Sequence, residues 1–260
     1  MELLGQSFKN SYLFKLGTTS FIYPDLYSVN VRNLAPFLDE VELLFFESRE
    51  ANSLPDDYEI RELVALKNEW GVSYNIHMPT DVDISAVDPA ERERAVETYC
   101  RVFDLTRPLE PSTLTLHVPY SAEKHGGPAL WQAYATKGIR SVLDHGIDPR
   151  LISVETLDYP IDMLKPLIEK FDLSVCLDVG HVFLYGGDPL SVYKAFKNRI
   201  SIMHLHGVYQ GCDHVSLDLM TPYDFRKVRV MLEDFTGTLS LEIFSFDNLK
   251  RSLDYLKEML

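Results

Sequence analysis

The sequence has little basic charge for its size. Its 260 residues include 25 Lys and Arg against 39 Asp and Glu, which gives a net charge of −14. No run of Lys and Arg is long enough to reverse that charge locally, so a phosphate backbone would be repelled. We therefore expect no nucleic acid partner.

Cysteine and long apolar runs are also scarce. Cys100, Cys176 and Cys212 are an odd number and lack the spacing of a disulfide framework. The first residues lack the basic-then-apolar layout of a secretory signal, and no apolar run approaches the roughly 20 residues that cross a bilayer. These absences predict a reduced, cytoplasmic protein without membrane insertion.

Low-complexity linkers and shifts in composition are absent as well. With 46% hydrophobic residues, the chain can fill the core of one large α/β domain. We expect a single domain over residues 1–260, with 1–13 as an N-terminal extension and a monomer or homodimer as the functional unit.

What the sequence does contain is a regular alternation of short β-type runs and amphipathic helical runs. Helix starts are marked by capping residues at Asp56, Asp88, Asp188 and Thr221, three of them followed by proline. Eight strands are predicted near 14–20, 40–46, 72–77, 113–117, 151–155, 173–178, 200–206 and 238–243. A doubly wound sheet usually has fewer strands and a glycine-rich first turn, so the pattern favours an α/β fold with a single (β/α)₈ TIM barrel.

Within five of these strands, aliphatic residues alternate with small or polar ones. Each of the five ends on an ionisable residue that falls on the polar side; these are His77, His117, Glu155, Asp178 and Glu242. If the aliphatic sides pack on the helices, the ionisable ends point into the barrel mouth, where barrel enzymes carry their chemistry. Strand 200–206 breaks the rule, because His204 and His206 share the parity of Ile200.

Converging ionisable groups would repel one another and lose hydration unless a multivalent cation compensates them. Imidazole and carboxylate ligands suit zinc first, with manganese or iron as alternatives. Nine side chains are candidate metal ligands: His77, His117, Glu155, Asp178, His181, His204, Asp213, His214 and Glu242. Nine ligands exceed the needs of one ion, so two or three divalent metal ions with bridging carboxylates are expected. Whether His204 or His206 serves from strand seven stays open.

The segment LSVCLDVGH (173–181) illustrates the expected site. We expect Asp178 to end its strand inside the mouth, Gly180 to let the chain turn, and His181 to return toward the same centre. Taken singly, a strand-end histidine is more often structural, and Asp178 alone is equally explained as a helix cap. The joint pattern favours the metal site. Cys212, beside Asp213, is expected to be a small buried filler.

The pattern resembles the xylose isomerase-like barrel superfamily, which includes sugar isomerases, epimerases and type IV apurinic endonucleases. More narrowly, five segments resemble the cobamide-remodeling phosphodiesterases: LGTTSFIYPD (16–25), YNIHMPTD (74–81), VETLDYP (154–160), LSVCLDVGH (173–181) and GCDHVSLD (211–218). That resemblance implies hydrolysis of the phosphoester in the nucleotide loop of a corrinoid substrate, a small molecule, releasing cobinamide phosphate and an α-riboside.

The resemblance also implies roles for the site residues. His77, His117 and Glu155 would hold one ion, and Glu155 would bridge to a second ion held by Asp178, Glu242 and either His204 or His214. Glu155 and Glu242 are the expected catalytic carboxylates. The alternative is a sugar or sugar phosphate isomerase or epimerase, in which Glu155 and Glu242 flank a single divalent metal and move protons at carbon. A third hypothesis is a barrel that binds a ligand without catalysis.

Overall fold

The computed structural model describes residues 2–48 and 53–260. Eight parallel strands form a closed barrel in the order β1-β10-β7-β6-β5-β4-β3-β2. The barrel strands are β1 (Lys15–Thr19), β2 (Glu40–Leu44), β3 (Ser73–His77), β4 (Leu114–Leu116), β5 (Ile152–Glu155), β6 (Ser174–Asp178), β7 (Ile200–Leu205) and β10 (Thr238–Leu241). The predicted TIM barrel is therefore confirmed, with each strand inside its predicted range.

Helices lie between the strands. They are α1 (Tyr27–Leu34), α2 (Asp57–Trp70), α3 (Pro89–Thr106), α4 (Ala122–His125), α5 (Pro128–Asp144), α6 (Lys165–Phe171), α7 (Val179–Leu184), α8 (Pro189–Phe196), α9 (Pro222–Leu232) and α10 (Phe246–Met259). An antiparallel hairpin of β8 (Gly207–Tyr209) and β9 (Cys212–Val215) follows β7; the sequence pattern did not predict it. Among the helices of the described residues, none is both long and apolar enough to span a membrane.

The predicted caps begin the helices where expected. The Asp56 carboxylate accepts the Glu59 N–H at 2.8 Å, and Thr221 Oγ1 accepts the Asp224 N–H at 3.1 Å. Gly71 ends α2 with a φ of 61°, a left-handed conformation that glycine adopts without a steric penalty. These local signals explain why helix boundaries were readable from sequence.

The two sides of the barrel wall differ in polarity, as the strand alternation predicted. Outward residues such as Val154 and Leu177 belong to the continuous apolar core against the helices. Inside, Ser153 Oγ lies 2.6 Å from Thr113 Oγ1 and 2.5 Å from Ser201 Oγ. Small hydroxyl residues therefore pair with one another in the interior of the barrel.

Strand β7 departs from simple alternation at a bulge, and Ile202 shares the inner side with His204. Val175 pairs with Ile200 but the next residue, Cys176, pairs with Ile202, so Ser201 is an extra residue in β7. A bulge of this kind changes which side chains face inward. It places His204 opposite Asp178, on the inner side. The parity conflict between Ile200 and His204 is thus resolved by one inserted residue.

Gly138, in the middle of α5, allows that helix to pack closely. A Cβ at this position would lie 2.3 Å from the carbonyl oxygen of Ile84, which is too close for any real contact. In an exposed helix, alanine would instead be favoured over glycine by about 1 kcal/mol. The close approach to Ile84 therefore reverses the usual preference.

We predict that Gly138→Ala lowers the free energy of unfolding by about 2 kcal/mol, because overpacking forces α5 away from the Ile84 backbone. Gly5→Ala is the matched control, since a Cβ at Gly5 would meet nothing within 4 Å. Urea denaturation followed by circular dichroism measures both variants. Equal stability of the two would contradict the packing argument.

Candidate metal centre

The carboxyl ends of the barrel strands bring the predicted ionisable residues together. His77, Glu155 and Asp178 are the last residues of β3, β5 and β6, and His117 and Glu242 directly follow β4 and β10. Glu155, Asp178 and Glu242 are each at most 4% exposed. Side chains from five strands therefore meet in a buried space that no single segment of the sequence defines.

A first ligand group consists of His77, His117 and Glu155, with one ligand atom of each lying within 4.8 Å of the others. The Nε2 atoms of both histidines face the same oxygen, Glu155 Oε2, at 3.2 Å for His77 and 2.9 Å for His117. Two imidazole nitrogens and one carboxylate oxygen are a donor set that suits zinc.

The tautomer of His77 supports this interpretation. Its Nδ1 lies 3.1 Å from the carbonyl oxygen of Met78, which only a protonated Nδ1 can bond. In the neutral ring, Nε2 then presents a lone pair to Glu155 Oε2. Two lone pairs in that position repel each other unless a cation or a second proton lies between them. The backbone thus holds His77 with Nε2 directed at Glu155, which is the orientation that a metal ligand would need.

A second ligand group consists of Glu155, Asp178, His204 and Glu242, again with ligand atoms within 4.8 Å of one another. His204 Nδ1 faces the three carboxylates at 3.7 Å from Glu155, 3.9 Å from Asp178 and 3.4 Å from Glu242. These separations are longer than hydrogen bonds and leave room for an ion among the four. Glu155 belongs to both groups.

Unpartnered atoms provide an independent test of whether these residues fit a cation. Within the described chain, Glu155 Oε1, Asp178 Oδ2, His204 Nδ1 and Glu242 Oε2 are buried and find no hydrogen-bond partner. A buried polar atom without a partner costs about 1–3 kcal/mol, and more when charged. All four atoms belong to the second ligand group. The donor set therefore fits a divalent cation.

The pKa shifts of the site residues also agree with a site for cations. Burial alone would raise the pKa of Glu155, but the facing imidazoles of His117 and His204 hold that pKa well below its usual range. For His181, burial would lower the pKa, but the carboxylate of Asp178 raises it to about 10. Each carboxylate is thus stabilised by neighbouring positive charge, which divalent cations supply when bound.

A third ligand group consists of His181, His206 and His214. Asp178 is the N-cap of α7: its Oδ1 accepts the His181 N–H at 2.7 Å, and its Oδ2 is left for the second group. The cap and the ligand interpretations of Asp178 are therefore compatible. Because α7 begins directly at Asp178, no turn forms at Gly180, and the expectation that Gly180 lets the chain turn is wrong.

Gly180 has a different role, which only the tertiary structure reveals. A Cβ there would lie 2.1–2.5 Å from the imidazole ring of His206. His206 Nε2 in turn lies 3.3 Å from Asp178 Oδ1, and its Nδ1 accepts the His214 N–H at 2.9 Å. The absence of a side chain at Gly180 lets His206 contact both Asp178 and the hairpin that carries His214.

His204 in β7 and His206 directly after that strand thus both enter the site. His204 lies in the second group and His206 in the third, so the choice between them has no single answer. The sequence left this choice open, because His204 and His206 share one strand parity, and the predicted ligand set contained only His204 of the two. The remaining sequence clue was the His-x-His spacing, which places both rings on one side of an extended strand.

The three residues at the start of β9 differ in how they relate to the site. His214 has a φ of 50°, and its Nδ1 is 2.9 Å from the carbonyl oxygen of Glu242, so its ring is fixed toward the site. Asp213 Oδ2 is 3.9 Å from His214 Nε2, its side chain is 41% exposed, and it joins none of the ligand groups among the described residues. Cys212 is exposed, and the expectation that it is a buried filler is wrong.

Below the ligands lies a further carboxylate, Glu42, that the sequence did not assign to the site. It is fully buried, and its Oε1 lies 3.0 Å from His204 Nε2, although without the orientation of a hydrogen bond. Its other oxygen accepts the Ser240 hydroxyl at 2.5 Å. Carboxylates in this position orient ligating histidines in many metal sites.

The structural neighbours of the chain include both epimerases and an endonuclease. A D-tagatose 3-epimerase-like protein is 19% identical with a TM-score of 0.78, covering 95% of this chain and 97% of its own. Endonuclease IV from Thermus thermophilus is 20% identical with a TM-score of 0.68, covering 94% and 99%. D-psicose 3-epimerase from Clostridium cellulolyticum, solved with D-tagatose, is 14% identical with a TM-score of 0.74, covering 95% and 99%.

At these identities the neighbours establish the fold alone. Among curated proteins, none is similar enough in sequence to count as a match. The family comparison is more decisive, because it covers residues 38–259, from β2 to the end of α10. The chain belongs to the xylose isomerase-like TIM barrel family.

Proposed function

We propose that the protein is a metal-dependent phosphodiesterase that cleaves the phosphoester link in the nucleotide loop of a cobamide. Water adds to phosphorus, the bond from phosphorus to the ribose oxygen breaks, and that oxygen takes up a proton. The products are cobinamide phosphate and an α-riboside. We propose that two or three divalent ions, zinc first among them, are required.

The observation that carries this proposal is the sharing of Glu155 between two ligand groups. One carboxylate oxygen faces His77 and His117, while the other faces His181 and His204. A bridging carboxylate between two ion sites is a recurrent arrangement in enzymes that hydrolyse phosphodiesters. When bound there, divalent cations would polarise the phosphoryl group and favour the ionisation of water.

The residues of the chain prepare the site for this chemistry. The Met78 carbonyl fixes the His77 ring, the His181 N–H fixes one oxygen of Asp178, and Glu42 lies against the far side of His204. Each ligand is thus held before substrate arrives, which lowers the reorganisation needed during reaction. Burial excludes bulk water from the carboxylates and strengthens their interaction with bound charge.

The mouth also offers apolar surface for a large substrate. Phe46 lies between Phe21 and Phe244, with ring centroids 5.1 Å and 6.0 Å away. Phe21 is 40% exposed and Phe244 is 38% exposed, so this surface faces solvent beside His214. An exposed aromatic surface at a site entrance suits a broad, partly apolar ligand such as a corrinoid.

A sugar epimerase is the second candidate, and a specific observation favours it. Glu155, Asp178, His204 and Glu242 would by themselves hold one ion, and Glu155 and Glu242 would flank a bound sugar. Several neighbours in fold are epimerases of ketoses. In that reaction the carboxylates would exchange a proton at carbon, and neither His77 nor His117 would be required.

The first experiment is to incubate the protein, purified with its native metals under reducing conditions, with adenosylcobamide. Mass spectrometry should detect cobinamide phosphate and the free riboside in equal amounts. Intact cobamide in metal-loaded protein would contradict the proposal, and epimerisation of ketoses would then be assayed in its place.

Replacing the shared carboxylate should abolish turnover. We expect Glu155→Gln to lower kcat by about a thousandfold, equivalent to about 4 kcal/mol of activation free energy, because the amide cannot bridge two cations. The matched control is Glu169→Gln on the exposed face of α6. Circular dichroism checks the fold of both variants, and retained hydrolysis by Glu155→Gln would exclude the bridging role.

Metal content separates the two candidate functions. We expect at least two divalent ions per chain by plasma mass spectrometry, and fewer by one in His77→Ala, with loss of hydrolysis. The first ligand group cannot hold its ion without that imidazole. One ion per chain in the wild type, unaltered by His77→Ala, would favour the epimerase.

Enlarging Gly180 tests the third ligand group. We expect Gly180→Ala to displace the His206 ring, lower the metal content and reduce kcat/KM by at least about tenfold. Gly5→Ala, at a glycine with open surroundings, is the control. Wild-type metal content and turnover in Gly180→Ala would show that His206 does not support the site.

A further inference from the structure

A pocket of about 240 Å³ lies next to the ligand groups and belongs to none of them. One wall is the segment that follows β5, and the other is formed by α7 and the start of α8. Its apolar lining includes Tyr159, Ile161, Val182, Tyr185 and Val192. We call this space the side pocket.

The side pocket is built on the same elements as the metal centre. Thr156, in its lining, directly follows Glu155, and its Oγ1 accepts the Asp178 N–H at 2.8 Å. Helix α7 carries His181 toward the ligands, and Tyr185, directly after that helix, lines the pocket; their ring centroids are 6.3 Å apart. A group attached to a reacting phosphate therefore reaches the pocket without crossing the barrel.

The lining selects a flat, weakly polar occupant. The Tyr159 hydroxyl donates to the Val118 carbonyl at 2.5 Å, so this side chain offers its ring rather than a free hydroxyl. Tyr185, also in the lining, is 58% exposed, so its ring can cover a flat occupant. At the rim, the exposed carboxylates of Asp158 and Asp162 accept hydrogen bonds and disfavour anions.

The volume of the side pocket limits the size of the ligand that it can bind. An apolar cavity of about 150 Å³ is enough for benzene, so this pocket admits one aromatic ring or two fused rings. A tetrapyrrole macrocycle is far too large for it. In a phosphodiester that joins a small group to a much larger one, the pocket therefore admits only the smaller group.

We infer that the side pocket binds the planar aromatic base of the α-riboside and leaves the corrin ring outside on the open mouth. This inference rests on the proposed function for the identity of the substrate. The binding of a flat heterocycle is nevertheless a property of the pocket itself, so it can be measured without turnover.

Indole is a suitable probe, because its nitrogen lone pair belongs to the ring and does not ligate metals. Its size matches the pocket, and its N–H can donate to a rim carboxylate. We expect saturable binding to the metal-loaded protein by ligand-observed NMR. Val192→Trp, which places an indole ring in the pocket, should weaken binding by at least about tenfold.

Matched variants distinguish an effect on binding in the side pocket from a general effect of the same substitution elsewhere. Val230→Trp makes the same change on the exposed surface of α9, where Val230 is 46% exposed, and should bind indole as the wild type does. Tyr185→Ala should also weaken binding, whereas Tyr58→Ala, at a tyrosine 64% exposed on α2, should not. The tyrosine pair keeps the test valid if Val192→Trp does not fold.

Activity assays then distinguish a failure of the proposed function from a failure of the pocket assignment. In an active wild type, Val192→Trp should raise the KM for cobamide about tenfold with a smaller change in kcat. If indole binds in the pocket but no cobamide is cleaved, the proposed function fails, and only the assignment of the pocket to a flat aromatic ring stands. Indole binding that is absent, or unaffected by Val192→Trp and Tyr185→Ala, would overturn the assignment.

Discussion

The structure depends on one constraint, the compensation of a buried carboxylate. Glu155 is 1% exposed, and its two oxygens lie within 4 Å of four different imidazoles. A charge removed from water in this way is tolerated only with opposite charge close by. The convergence of histidines and carboxylates around Glu155 follows from that requirement, and divalent cations meet it with the available donors.

The barrel makes this convergence possible by keeping its interior polar. Ser153 and Thr113 bond each other inside the barrel, and Ser240 bonds Glu42 beneath His204. The apolar core lies instead between the strands and the helices, where burial of aliphatic surface stabilises the fold. The outward side of each strand thus contributes to stability, and the inward side carries the residues of the candidate site.

The two candidate functions share most of this machinery. The second ligand group serves either reaction, because a single ion with two flanking carboxylates suits proton transfer at carbon and one half of a phosphodiesterase site alike. The first group, with His77 and His117, adds the capacity for a second ion. Under our proposal the side pocket would add selection by shape, because it would receive a flat ring and exclude a macrocycle.

The sequence by itself determined the barrel and five of its strand ends, because side-chain alternation and helix caps are local. Glu155 and Asp178 were identified in this way. Only the tertiary structure decided the rest: the extra residue Ser201 turns His204 inward, and the space at Gly180 admits His206. Both depend on contacts between segments far apart in the chain, which residue periodicity along one strand does not encode.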